Sequence, residues 1–179
     1  MRDERGFTLV EMIIVIAIFG ILSAIATIYA RDWLDRYAVE GQTQQMYADL
    51  MTARVGAMQR NRIFFVTVAA NQYAIYEDTY SGLTSTITPD GDGSLQQGSN
   101  QDRLVTQTTT KYSLNCTEPY VAGAGNFIFT QNGLVSWAST TNSVIVWASS
   151  TASPVTDCIS LTTTRILMGK MNGTNCIAK

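Results

Sequence analysis

Histidine is absent from this chain of 179 residues. That removes the commonest general base and the commonest metal ligand together. No G-x-S-x-G elbow and no glycine-rich phosphate loop occurs, and no Ser, Thr or Asp has a base beside it in sequence. Neither an enzymatic activity nor a cofactor is expected. One segment, Asp90-Gly91-Asp92-Gly93, invites a calcium reading. With Asp90 in first place, Leu95 and Gln101 stand where an EF-hand loop needs its Gly and its Glu. The segment reads as a surface turn, and no metal site is expected.

Other shortages are local. Proline is missing from Met1 to Ile87, so no helix there meets that interruption. Charge is missing from the nineteen residues Met12 to Ala30. At 1.5 Å per residue the run extends about 28 Å, close to a hydrocarbon layer of roughly 30 Å. Cysteine is limited to Cys116, Cys158 and Cys176, and an odd count permits at most one internal disulfide. Lys and Arg number 12 against 14 Asp and Glu, with a pI near 5.0. An acidic chain is poorly suited to binding phosphate backbones.

The head of the apolar run carries the most specific pattern. A charged leader, Met1-Arg2-Asp3-Glu4-Arg5, ends at Gly6. Phe7-Thr8-Leu9-Val10 follows, then Glu11, the one charge in the run. Glu11 lies about 6 Å along a helix from Phe7, where it can reach water and meets the positive end of the helix dipole. A secretory signal would place its cleavage site after the apolar stretch. Here the small residue comes before it. The order Gly-Phe-Thr-Leu-Val-Glu resembles the class III leader of type IV pilins and type II secretion pseudopilins. That resemblance implies cleavage by a prepilin peptidase between Gly6 and Phe7, N-methylation of Phe7, and retention of the helix. It also implies that Glu11 neutralises the Phe7 amino group of a neighbouring subunit in a filament, since a buried charge needs a partner.

Beyond Arg31 the chain becomes amphipathic. Trp33, Leu34, Tyr37, Ala38, Met46, Leu50, Met51, Ala53, Ala57 and Met58 recur largely at helical spacing, which reads as core packing. One helix from about Thr8 to Asn61 is expected, with Gly20 and Gly41 as soft points. The period then changes to two. Ile63–Ala69 and Tyr73–Glu77 read as a hairpin around Asn71-Gln72, and a loop follows over Ser81–Asp102. Further strands are expected at Leu104–Leu114, Asn126–Thr130, Leu134–Ala138, Ser143–Ala148, Cys158–Leu161 and Arg165–Met168. Asn132-Gly133 marks a tight turn. A long helix followed only by strands predicts an α+β fold with an antiparallel sheet. The expected division is a leader over 1–6, a transmembrane and filament-core segment over 7–30, an amphipathic second half over 31–61, and an extracytoplasmic β domain over 62–179.

The segment Ala53-Arg54-Val55-Gly56-Ala57 leading into the Phe64 strand, the arm Tyr73–Asp78 and the run Phe127–Gly133 are similar to GspH/FimT-type minor pseudopilins. The chain has no Pro-Trp-Gly calcium-loop segment and no proline near Ile28. Both departures favour a minor subunit. The resemblance implies sibling pilin subunits, the prepilin peptidase and the bacterial inner membrane as partners. Export favours disulfide formation. Cys158–Cys176 is the expected pair, because both lie in the C-terminal stretch and could tie down the tail; the sequence leaves other pairings open. Two other roles stand as alternatives. DNA uptake would use Arg165, Lys170 and Lys179, too few and too scattered for a phosphate-binding face, so nucleic acid is not the expected partner. Adhesion would use Trp137 or Trp147 if they were exposed.

Overall fold

A computed structural model describes residues 7–79, 93–95, 102–139 and 143–178, with Ile28 and Tyr29 as backbone only. The leader with Gly6, the Asp90-Gly91-Asp92 turn, most of the loop expected over 81–102, and Lys179 lie outside the described residues. One helix, α1, runs over Leu9–Arg60. Thr8 caps it: its backbone is extended and its hydroxyl accepts the Glu11 N–H at 3.2 Å. Asn61 ends it in a left-handed conformation, donating its N–H to the Ala57 carbonyl. Neither Gly20 nor Gly41 interrupts it.

Val39, Met46, Leu50, Ala53 and Ala57 form the buried stripe of α1. The expected core series was too long at its start. Trp33, Leu34 and Tyr37 are 63%, 57% and 67% exposed. At about 100° per residue, Trp33 and Tyr37 point roughly opposite to the buried stripe. Met58, at the other end of the series, is 46% exposed.

Among the described residues ten strands follow: β1 Phe64–Ala69, β2 Gln72–Glu77, β3 Arg103–Thr109, β4 Leu114–Cys116, β5 Phe127–Phe129, β6 Val135–Ser136, β7 Val144–Ala148, β8 Cys158–Leu161, β9 Ile166–Asn172 and β10 Asn175–Ala178. They form two five-stranded sheets, in the orders β3-β2-β1-β5-β6 and β10-β9-β8-β7-β4. Every pairing is antiparallel. The expected α+β class holds.

Three local expectations change. The β1–β2 turn is Ala70-Asn71, because Gln72 already pairs with Ala69. The single strand expected over Leu104–Leu114 is two strands in different sheets. The chain crosses between them at Thr110–Ser113, where Thr110 donates to the Asn71 carbonyl at 2.9 Å and Leu114 to the Ala70 carbonyl at 2.6 Å. Alternation alone cannot reveal that a strand has changed sheets. The third change is β10, a short, largely exposed strand that pattern reading passed over.

A second junction joins the sheets at the far side, where Val135 of β6 donates to the Thr163 carbonyl at 2.9 Å. The expected Asn132-Gly133 turn connects β5 to β6, and Gly133 takes the positive φ of 71° that it needs. Phe64, Val66, Phe127 and Phe129 from the first sheet meet Val144, Val146, Ile159, Leu161 and Ile166 from the second. The stripe of α1 completes this single core.

Candidate functional site

The two halves of α1 live in different surroundings. The helix is long and apolar enough to cross a membrane, and none of its most apolar window is buried within the chain. Phe7 is 81% exposed, and Leu9, Ile13, Ile16, Phe19 and Leu22 are also bare. Burying a side chain of this size is worth about 1.5–3 kcal/mol, so a stripe of them left in water would be strongly unfavourable. Glu11 sits in the first turn with its own N–H taken by Thr8. A carboxylate in the first turn suits the positive end of the helix dipole. Among the described residues, nothing covers this apolar half.

The second half is clasped by polar contacts from distant parts of the sequence. Asp35 Oδ1 accepts from Lys111 Nζ at 2.9 Å and from the Tyr112 hydroxyl at 2.6 Å. Those bonds, Tyr112 first, hold the Asp35 carboxyl below its ordinary value, and the same partnership raises Lys111. About two turns later, Gln42 donates to the Tyr112 carbonyl and accepts its N–H, both at 3.1 Å. Glu40 accepts the Val155 N–H at 2.6 Å. Higher up, Tyr73 donates to Asp49 at 2.6 Å, and burial pushes its phenol well above the ordinary range. At the top, buried Glu77 takes Arg60 as its near partner, with Arg62 and Arg103 each at 3.6 Å. The sequence signals none of these, since the Asp35–Tyr112 pair alone is separated by 77 positions.

The structure joins Cys158 and Cys176, with their Cα atoms 6.0 Å apart. These residues lie on β8 and β10, and β9 runs between them. Two strand spacings in a flat sheet would be about 9.6 Å. The hairpin must therefore curl, and Gly169 of β9 is where it does so. A Cβ there would stand 2.2 Å from the Ile177 carbonyl oxygen. Cys116 is the free thiol, and burial raises its pKa to about 11.

Residues 1–27 match the prokaryotic N-terminal methylation motif, and residues 42–164 match the family described as type II transport protein GspH. The second match spans more than half of the chain. The chain belongs to the GspH family. Two fimbrial proteins of Pseudomonas aeruginosa are 34% and 33% identical over 114 residues, covering 62% of this chain and 70% of each relative. Among solved structures, the minor pseudopilin EpsH from the type 2 secretion system of Vibrio cholerae is similar with a TM-score of 0.48 and 12% identity, over 74% of this chain and 97% of that one. This GspH-family chain is a structural subunit of pilin type, of a type IV pilus or a type II secretion filament.

The alternatives gain nothing from the geometry. Arg165 lies in the turn ahead of β9, bonded through its backbone to Thr162, and Lys170 lies five positions on within the strand. Lys170 is engaged with the Ser153 hydroxyl at 2.9 Å. Trp137 packs against the core, and Trp147 is half-buried over Gln42, Thr43 and Met46. Among the described residues, no group of three or more Cys, Asp or Glu side chains could hold a metal ion.

Proposed function

We propose that this GspH-family chain is a minor subunit that waits in the bacterial inner membrane and then enters a filament through α1. In this reading a prepilin peptidase removes residues 1–6 by cutting between Gly6 and Phe7, and Phe7 becomes a methylated amino terminus. Residues 7–30 span the membrane, 31–61 support the domain, and 62–179 face outward. On assembly, the Glu11 carboxylate neutralises the Phe7 amino group of a sibling. The carrying observation is the unpartnered apolar half of α1, continuous with a half that forms domain core. Such a helix needs lipid before assembly and sibling helices after it. Intact-mass measurement on protein extracted from membranes tests the processing. The expected species lacks Met1–Gly6 and carries one added methyl group. A full-length species from cells with an active prepilin peptidase would end the reading.

A further inference from the structure

One apolar patch on α1 belongs neither to the uncharged run nor to the core. Trp33 and Tyr37 stack with ring centroids 5.7 Å apart and planes at 26°, and Leu34 lies beside them. All three are more than half exposed. The Trp33–Tyr37 pair faces away from the β domain, so no movement of the domain along α1 covers it.

We propose that this pair docks in the headgroup layer of the bilayer and fixes the depth of the unassembled subunit. The inference rests on the membrane-spanning reading of residues 7–30. Position supports it. Trp33 lies about 4.5 Å beyond Ala30 along the axis, and Tyr37 about 10 Å beyond. The headgroup region adds roughly 5–8 Å to each side of the hydrocarbon layer. Trp33 therefore falls within that region, and Tyr37 stands just beyond its outer edge, with a side chain that leans back toward the helix N-terminus. It also continues the face of Leu22, Ala26 and Ala30, at about 100° per residue, so the surface is unbroken from the apolar segment.

Chemistry separates this occupant from a neighbouring helix. Indole N–H and phenol O–H want polar partners while their rings want apolar ones, a combination met at a membrane surface. Helix seams within membranes favour small residues that allow close approach. Arg31 and Arg36 flank the pair, and Arg36 is held by Asp32 at 2.6 Å. Guanidinium groups at this height can reach lipid phosphates. A consequence follows for the domain. Asp35, which clasps Lys111 and Tyr112, lies between the two aromatic residues in sequence. An anchored pair thus holds the base of the β domain against the membrane surface.

The test uses the full chain in phosphatidylcholine vesicles. Flotation first establishes insertion. The fluorescence of Trp33 is then taken as the difference between wild-type and Trp33→Phe protein, which leaves Trp137 and Trp147 in place. Expected results are a blue-shifted Trp33 emission, several-fold protection from aqueous iodide, and strongest quenching by nitroxide at headgroup level rather than at mid-bilayer. A floating chain whose Trp33 is quenched by iodide as freely as in water overturns the inference and leaves the spanning reading intact. Shielding of Trp33 only in filament fractions also overturns it, and assigns the patch to a sibling helix. A chain that does not float removes both.

Discussion

Glu11 is the residue on which assembly should turn. It stands at the head of a run with no other charge and lies outside every contact of the β domain. Glu11→Leu should therefore fold, be processed and insert as the natural chain does. Its recovery in sheared filaments, relative to the membrane pool, should fall at least tenfold, since about 1.4 kcal/mol corresponds to that factor and leaving an amino group unpaired costs more. Equal recovery would refute the pairing. Asp35 makes a prediction in pH. Its folded pKa is lowered from an ordinary 3.8, so its contribution is complete above that value and fades as pH falls through the lower folded one. Lys111 is raised from 10.5, so its part is complete below that value and fades as pH rises through the higher one. The clasp should be intact across the neutral range and open first at the acid end. The protection of the Lys111–Leu114 amides, relative to the unfolded chain at the same pH, should then fall below about pH 3.8 in the natural chain. In an Asp35→Asn variant it should be low already at neutral pH. Exchange that is identical in the two proteins would show that the clasp holds nothing.

At the scale of elements, α1 and the hairpins were largely legible, because both are written in local signals. Thr8 and the spacing of Met46, Leu50, Ala53 and Ala57 mark the helix; Asn132-Gly133 marks a turn. The crossing at Thr110–Ser113 was not, since period two persists through it. Nor were the clasps, which join positions far apart, nor β10, whose four residues are too few to show a period. What makes β10 a strand is its pairing with β9 and the bridge from Cys176 to Cys158. Gly169 is the required gap between them. Gly169→Ala would set a methyl group into the Ile177 carbonyl, and overpacking of this kind costs about 1–3 kcal/mol. The C-terminal hairpin should lift, and Cys176 should become labile to mild reductant. In the natural chain, full reduction should expose β10 to exchange before β1 and β2. The bridge closes a separation of 18 residues, which constrains the unfolded chain by ~3 kcal/mol. Equal loss of protection in both sheets on reduction would assign the bridge to global stability instead.

The whole molecule divides its labour within a single helix. Among the described side chains, none of α1 ahead of Asp35 is buried in the domain, and the stretch from Val39 onward supplies Val39, Met46, Leu50, Ala53 and Ala57 to its core. In the proposed reading, that division would let one chain satisfy two solvents in turn, the apolar half exchanging lipid for sibling helices without disturbing the core. It also predicts where the chain can be shortened. A protein beginning at Asp32 keeps the Asp35 clasp, Val39, Glu40 and Gln42. It should be soluble, and its thermal midpoint should lie within about 2–4 °C of the natural domain measured in detergent, the shift expected from 1 kcal/mol at this size. A protein beginning at Thr43 loses a fully buried Val39, worth about 1.5–3 kcal/mol, together with the bonds to Tyr112 and Val155. Its midpoint should fall by well over the first interval. The loss should start at the crossing between the two sheets, where Lys111 and Tyr112 no longer have a helix to hold. Melting followed by circular dichroism compares the two. If both melt alike, the lower clasps and Val39 contribute nothing to the fold, and the boundary between the apolar and domain-building halves of α1 lies further along the helix.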